Sequence, residues 1–351
     1  MNAVLSVKNL KVEIPTRHGV LTAIDDLSFD IAPGEVLGVV GESGAGKSIT
    51  GSAIIGLLDP PGRVAGGEIL LSGERIDRLA PSAMRRIRGK RIGMIFQDPL
   101  TSLNPLYRIG DQLTETILTH EKMSARAALD KAERLLVEVG IPAARTRLSS
   151  YPHQFSGGMR QRVVIALALA ADPQLVIADE PTTALDVSVQ AQVISLLKRL
   201  CKDRGTSVML ITHDMGVIAE TADRVCVLYA GRLAEIGKVR DVVRRPQHPY
   251  THGLMAAIPS LTGNPEEKLE QIPGTMPRLG AIPTGCAFNP RCDFSFARCI
   301  AERPPLYETA AGDAACFLHE PNPLRAAPRP VCDKAAAAGI VRRTQATEAA
   351  R

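Results

Sequence analysis

The stretch Gly41-Glu42-Ser43-Gly44-Ala45-Gly46-Lys47-Ser48 follows the continuous apolar run Val36–Val40 and opens the helix-like segment Lys47–Leu58. It fits the pattern G-x-x-x-x-G-K-[ST], in the strand-then-helix context that this pattern requires. Its glycines let successive backbone N–H groups face an anion, and the helix N-terminus adds partial positive charge. We therefore predict a nucleotide site, with Lys47 at the β- and γ-phosphates and the Ser48 hydroxyl on Mg²⁺.

A second apolar run ends in two acidic residues. Leu175–Ala178 reads as a buried strand, and Asp179 and Glu180 follow it directly. Two acids at a strand end are common on protein surfaces. In a chain that also carries the segment Gly41–Ser48, called the phosphate loop below, they have a specific use. Asp179 would hold the water shell of Mg²⁺, and Glu180 would take a proton from an attacking water molecule.

Another helix start in the chain is suited to anions. Ser156 is placed as an N-cap, and Gly157 and Gly158 expose backbone N–H groups ahead of an apolar helical segment. A cap that only stabilised the helix would not need two glycines. This segment is a candidate for a second phosphate contact.

Strand-like and helical patterns alternate along the first 240 residues, which favours an α/β layer built on a largely parallel sheet. Two alternating N-terminal runs read as half-buried strands near a sheet edge. The other predicted strands are Arg91–Phe96, Leu175–Ala178 and Val208–Thr212, and the other predicted helices are Ser124–Val139, Gly158–Ala170 and Val187–Cys201.

Together these motifs resemble the nucleotide-binding subunits of ABC transporters. Order and spacing match over about residues 4–240, at Gly41–Ser48, Gln97 after Phe96, Ser156–Gln161, Asp179-Glu180, Ala184-Leu185-Asp186 and His213. The resemblance implies an α/β P-loop NTPase fold, with a mixed sheet, a helical subdomain at about 98–172, and ATP hydrolysis.

The resemblance also implies a role for each matching residue. ATP contacts are expected from Gly41, Ser43, Gly44, Ala45, Gly46, Lys47, Ser48, Gln97 and Asp179. Among these, Ser48, Gln97 and Asp179 would be the magnesium ligands. Glu180 and His213 would be catalytic.

In this family two subunits enclose two nucleotides head to tail. Asp186 is therefore expected at the dimer interface. The ATP of the partner subunit would be contacted by Ser156, Gly157, Gly158, Arg160 and Gln161. The chain departs from the family pattern at His18, where an aromatic ring usually stacks on adenine, and at Met159, where glutamine is usual.

Finer features resemble the dipeptide and oligopeptide importers of bacteria, and specifically their D-type ATP-binding subunit. They are Asp98–Pro105, Ser156–Arg162, Ala178–Val187 and Gln247–Thr251. The resemblance implies an F-type paralogue as partner in a heterodimer, two permease subunits, a periplasmic solute-binding protein acting indirectly, and a place on the cytoplasmic face of the inner membrane.

Other functions are compatible with the same motifs. The cargo could instead be nickel, glutathione or an opine-like compound. A soluble ABC ATPase of DNA repair or translation is a further alternative, although such proteins usually carry two nucleotide domains or a long insertion. We expect no nucleic-acid partner.

Composition divides the chain into unequal parts. The 351 residues are 45% hydrophobic with a net charge of +5, which excludes general disorder. The longest apolar run is nine residues, against about 20 for a transmembrane helix, and we expect neither such a helix nor a signal peptide. Of 25 prolines, 14 follow residue 240. We predict an ATP-binding domain at 1–240, a C-terminal extension at 241–320 and a disordered tail at 321–351.

Four cysteines cluster in the predicted extension, at Cys286, Cys292, Cys299 and Cys316. A chain without a signal peptide is unlike a disulfide-bonded secreted protein. Zinc and cysteines without any metal are the alternatives. For zinc the usual Cys-x-x-Cys pair is missing, while four thiolates also suit a 4Fe–4S cluster. Resemblance to the C-terminal extension of peptide-importer ATPases favours iron–sulfur, as a structural staple.

Overall fold

The structure is a computed structural model that describes residues 3–183, 185–258 and 271–321. The predicted tail beyond residue 321 therefore lies outside the described residues, as does Ala184. The strands are β1 (Leu5–Thr16), β2 (Gly19–Ile31), β3 (Val36–Val40), β4 (Arg63–Leu71), β5 (Glu74–Arg75), β6 (Ile92–Ile95), β7 (Leu175–Asp179), β8 (Ser207–Ile211), β9 (Arg224–Tyr229), β10 (Arg232–Lys238), β11 (Tyr307–Thr309) and β12 (Gly312–Ala314).

The helices lie largely where the sequence pattern places them. They are α1 (Lys47–Ile55), α2 (Pro81–Ile87), α3 (Pro99–Ser102), α4 (Ile109–His120), α5 (Ala125–Glu138), α6 (Ala144–Arg147), α7 (Gly157–Leu169), α8 (Val187–Arg204), α9 (Met215–Thr221), α10 (Val239–Arg244), α11 (Pro249–Ala256) and α12 (Ala297–Ala301). α1 is shorter than predicted because Gly56 adopts a left-handed conformation and ends it.

The main sheet has eight strands in the order β11-β12-β10-β9-β3-β8-β7-β6. β9, β3, β8, β7 and β6 run parallel, while β10, β12 and β11 add antiparallel neighbours at one side. Every residue of β7 and β8 is buried, as expected for central strands covered on both faces. The predicted P-loop fold with a mixed sheet and helices is confirmed.

A second, antiparallel sheet has the order β2-β1-β4-β5. Its inner side chains share one core with one face of the main sheet and with α1, as Leu5, Leu27, Leu37, Ile54 and Ile177 illustrate. This core holds α1, and therefore the loop that precedes it, against the carboxyl ends of the parallel strands.

The helices between β6 and β7 pack mainly on one another. α4 contacts α5, and both contact α7. Their apolar residues join a core on the other face of the main sheet, which includes Leu113, Leu136, Val163 and Leu197. A separate subdomain at about 98–172 stays a prediction.

Part of the chain after residue 240 joins the main sheet. β12 pairs with β10, with Glu235 opposite Ala314 and Gly237 opposite Gly312. The C-terminal strands therefore cover what would be an open sheet edge. Among the described residues, no helix is both long and apolar enough to cross a membrane.

Candidate nucleotide site

The loop between β3 and α1 has the curled backbone that its glycines predict. Gly46 has φ of 103°, and a Cβ there would lie 2.6 Å from Cδ1 of Ile24. The N–H of Ala45 donates to the carbonyl of Glu42 (3.1 Å), which closes a turn within the loop. A side chain at residue 46 would therefore meet both backbone strain and a steric clash.

Lys47 opens α1 with its ammonium group turned back into the loop. Nζ donates to the carbonyl oxygens of Gly41 (2.8 Å) and Glu42 (3.2 Å), and the residue is only 6% exposed. Burial lowers the pKa of Lys47, and the charges of Glu180 and Asp179 oppose that change. The ammonium group is thus held inside the loop by carbonyls that an anion could replace as its partners.

Ser48 and Asp179 meet although 131 residues separate them in sequence. The Ser48 hydroxyl donates to Oδ1 of Asp179 at 3.0 Å. Asp179 ends β7 and is 7% exposed. Burial raises the pKa of Asp179, while the hydrogen bond from Ser48 lowers it. A hydroxyl and a carboxylate side by side are oxygen ligands of the kind that Mg²⁺ prefers.

Three side chains converge on the Glu180 carboxylate. Gln97 Nε2 (3.1 Å) and Thr183 Oγ1 (3.0 Å) donate to Oε2, and His213 Nδ1 lies 3.3 Å from Oε1. Glu180 itself has φ of 44°, an uncommon value for a residue other than glycine. The structure therefore brings together Gln97, Glu180 and His213, which the sequence predicts from separate motifs.

The environment of Glu180 favours its charged form. Burial acts to raise the pKa of Glu180, but the hydrogen bonds from Thr183 and His213 and the charges of His213 and Lys47 outweigh it and lower the pKa. Sequence reasoning missed Thr183. The signal was present, because Thr183 follows Asp179-Glu180 in the same short turn.

The segment Ser156–Gln161, called the signature segment below, begins a helix with Ser156 as the N-cap, as predicted. The Ser156 hydroxyl accepts from the N–H of Met159 (3.3 Å) at the start of α7. Asp186 caps α8 in the same way, accepting from the N–H of Val189 (2.9 Å). The first turns of α7 and α8 lie next to each other: a Cβ at Gly158 would lie 2.7 Å from Cγ1 of Val189.

Of the side chains predicted to contact the ATP of a partner subunit, Arg160 is half-buried and Gln161 is buried. Nε of Arg160 donates to the carbonyl of Pro152 at 2.8 Å. Gln161 is 1% exposed, and its Nε2 has no hydrogen-bond partner among the described residues. His18 is exposed in the turn that joins β1 and β2.

Two described residues after 240, a region called the C-terminal part below, contact the phosphate loop. The sequence analysis singled out Gln247–Thr251, which contains one of them, but it indicated neither contact. Arg291 donates to both carboxylate oxygens of Glu42 (2.7 and 2.9 Å). The Tyr250 hydroxyl accepts from the N–H of Glu42 at 2.8 Å. Glu42 is therefore held from the C-terminal side through both its side chain and its backbone.

The predicted iron–sulfur site is wrong. Cys286, Cys292, Cys299 and Cys316 are free and only partly buried. Within residues 3–183, 185–258 and 271–321, no group of three or more His, Cys, Asp or Glu side chains is placed to hold a metal ion. Burial raises the pKa of Cys292 to about 11 and that of Cys316 to about 12. The zinc alternative has no support either, because no metal-holding group of side chains is found among the described residues.

Comparison with known proteins agrees with this geometry. A family model described as "ABC transporter" matches residues 24–183, and one described as "Oligopeptide/dipeptide transporter, C-terminal region" matches residues 234–299. The oligopeptide transport ATP-binding protein OppD of Bacillus subtilis is 50% identical over 307 residues, covering 87% of this chain and 86% of that protein. OppD of Escherichia coli is 48% identical over 317 residues, covering 90% and 93%.

A solved structure shares the fold. The dimeric ATP-binding cassette MJ0796, in a post-hydrolysis state with ADP and phosphate, superposes with a TM-score of 0.60 at 28% identity. The match covers 67% of this chain and 99% of that one. The chain therefore belongs to the family of ABC transporter ATP-binding subunits, and it is an ABC-type ATPase. Within that family it belongs to the branch of OppD- and DppD-type oligopeptide and dipeptide ATP-binding proteins.

Proposed function

We propose that this chain is the ATP-hydrolysing subunit of a bacterial ABC importer for di- and oligopeptides. The observation that carries the proposal is the cluster of Lys47, Ser48, Asp179, Glu180 and His213 at the carboxyl ends of the parallel strands. The cargo is inferred from relatives whose names state oligopeptide or dipeptide transport.

The residues present fit ATP and magnesium. Backbone N–H groups of the loop from Gly41 to Ser48 would surround the phosphates, with the Lys47 ammonium as counter-charge. Ser48 and Asp179 already form an oxygen pair at 3.0 Å, and Gln97 would complete the magnesium ligands. When bound, Mg²⁺ neutralises charge on the β- and γ-phosphate oxygens.

In this proposal Glu180 is the base. Its lowered pKa keeps the carboxylate ionised, so that it can accept the proton of a water molecule attacking the γ-phosphorus. His213 and Gln97 hold the carboxylate from two sides. Lys47 stabilises negative charge as the bond to the leaving group breaks.

The signature segment is proposed to act on a second subunit. Ser156, Gly157, Gly158, Arg160 and Gln161 would face the nucleotide bound by that partner, with Asp186 at the interface. To do so, Gln161 would have to leave its buried position and Arg160 its contact with the carbonyl of Pro152. The partner is proposed to be an F-type paralogue, so that each nucleotide site combines residues of two different chains.

The remaining assignments follow from the same family membership. ATP-binding subunits of this family work with transmembrane permease subunits, here proposed to be two. A periplasmic binding protein would deliver the cargo, and the chain would lie at the cytoplasmic face of the inner membrane. Residues 1–240 would form the ATP-binding domain and residues 241–320 the peptide-importer extension, joined through the pairing of β10 with β12.

Reconstitution tests this function. The chain, its paralogue and two permeases are placed in proteoliposomes with the binding protein, and peptide uptake and phosphate release are measured. Peptide-dependent uptake that requires ATP is expected. ATP-dependent uptake of nickel, glutathione or an opine-like compound in place of peptide would change the cargo. Isolation of the chain as a particle with nucleic acid but no permease would contradict the transporter.

A further inference from the structure

The C-terminal part of the chain holds one residue of the phosphate loop at two points. Arg291 forms a two-pronged ion pair with the Glu42 carboxylate, at 2.7 and 2.9 Å. The hydroxyl of Tyr250, a residue with no exposed surface, accepts the Glu42 N–H at 2.8 Å. These contacts span 249 and 208 residues of sequence.

Contacts other than the ion pair with Glu42 also hold the Arg291 side chain in position. It is 8% exposed, and its Nε donates to the carbonyl of Pro273 at 2.7 Å. Its guanidinium carbon lies 5.8 Å from the ring centre of Tyr229 in β9 and 5.9 Å from that of Phe288. A planar group held by an ion pair, a carbonyl and two rings has little rotational freedom left to lose.

Glu42 affects the phosphate loop in two ways, through the hydrogen bonds of its backbone carbonyl and through the charge of its side chain. The carbonyl accepts hydrogen bonds from both Lys47 Nζ (3.2 Å) and the N–H of Ala45 (3.1 Å). Glu42 is also the only acidic residue between Gly41 and Ser48. Its negative charge beside a site for anionic phosphates would repel them, and Arg291 neutralises that charge.

We propose that Arg291 and Tyr250 are positioning residues that set the affinity of the phosphate loop for nucleotide, and that nucleotide binding in turn stabilises the segment 271–292 against local opening. This inference rests on the proposed ATP site. The second half follows from the first because coupling between two sites is reciprocal. The C-terminal part thereby senses whether the loop is occupied.

The test measures ATP affinity by calorimetry, with Mg²⁺, in the full chain carrying Glu180→Gln so that turnover does not interfere. Arg291→Met is expected to raise the Kd about tenfold, within the range usual for coupled sites. Adding Glu42→Gln to that variant is expected to return the Kd to within about threefold of the Glu42→Gln value, because no uncompensated carboxylate then remains.

Matched variants separate this role from general loss of stability. Arg298→Met removes a cation of the same C-terminal part that pairs with Glu302 and Glu320 instead of the loop, and it should leave the Kd unchanged. Tyr250→Phe keeps the ring and removes only the acceptor of the Glu42 N–H, and it should weaken binding by a few-fold. An unchanged Kd in folded Arg291→Met protein, or a double variant as weak as Arg291→Met alone, would overturn the proposal.

Hydrogen exchange provides a readout that a purely structural role would not change. ATP is expected to slow amide exchange over residues 271–292 in the parent chain, and to do so much less in Arg291→Met. Equal slowing in both proteins contradicts the inference while leaving ATP binding established. Absence of ATP binding by the parent chain is a different result, and it would overturn the proposed function together with this inference.

Discussion

Nδ1 of His213 lies 3.3 Å from Oε1 of Glu180, at the point where the neighbouring strands β7 and β8 both end. The contact links two residues that are 33 positions apart in sequence. It exists because β7 and β8 are parallel neighbours, with Asp179 opposite Ile211. The carboxylate proposed as base is thus oriented by the adjacent strand.

Glu180→Gln is expected to abolish ATP hydrolysis while leaving ATP binding intact. The amide keeps the shape of the side chain, and its oxygen can still accept from Gln97 and Thr183, but it cannot take the proton of the water molecule. Phosphate release and calorimetric binding measure the two effects separately. Glu133→Gln serves as control, since Glu133 pairs with Arg145 on the surface; hydrolysis by Glu180→Gln at the control rate would remove Glu180 from the mechanism.

His213→Ala is expected to shift the acid limb of the turnover rate to higher pH. Burial alone would raise the pKa of Glu180. His213 is one of the groups that outweigh burial and bring the pKa below the usual value of 4.5. Without His213 the Glu180 pKa rises, so the base becomes protonated at a higher pH. A pH profile of the maximal rate checks this, and an unshifted acid limb with a uniformly reduced rate would contradict it.

Gly158→Ala is expected to destabilise the protein by about 1–3 kcal/mol, because the added methyl overpacks the contact between α7 and α8. The new Cβ would lie 2.7 Å from Cγ1 of Val189, a branched side chain with little freedom. Gly157→Ala is the control, since its Cβ would lie 3.7 Å from Leu185. Chemical denaturation measures the difference, and Val189→Ala should restore most of the loss; equal stability of the two alanine variants would contradict the prediction.

Glu235→Gln is expected to change how stability varies with pH. Glu235 is 1% exposed and accepts from the N–H groups of Gln247 and His248, and burial raises its pKa to about 7. The folded state therefore binds the proton more tightly than the unfolded state, so this group's contribution to stability falls as pH rises from about 4.5 to about 7.

The neighbouring His248 works in the opposite direction. Burial lowers its pKa to about 3, so its contribution is lost as pH falls below its ordinary value of 6.5. Thermal melts of wild type and Glu235→Gln from about pH 5 to about pH 8 isolate the carboxyl group. The variant should lose less stability than wild type as pH rises, and parallel curves would show that Glu235 is already ionised at the lower pH.

Local pattern indicated most of the residues that make up the proposed nucleotide site. The phosphate loop, the acids after β7 and the cap at Ser156 are each short, and each depends on residues next to one another in sequence. Their chemistry can therefore be predicted without knowledge of the fold. The cysteines show the limit of such reasoning, because spacing along the chain does not report whether the side chains are placed to hold a metal ion, and among the described residues no such group is found.

The sequence by itself determined the fold class, the family and the residues that would handle phosphate, since these follow from periodicity and contiguous motifs. Only the tertiary structure decided which distant residues meet. Sheet order placed His213 beside Glu180, and the pairing of β12 with β10 holds the C-terminal part against the main sheet. The contact of Arg291 with Glu42 across 249 residues has no counterpart in local pattern, because long-range packing brings the two together.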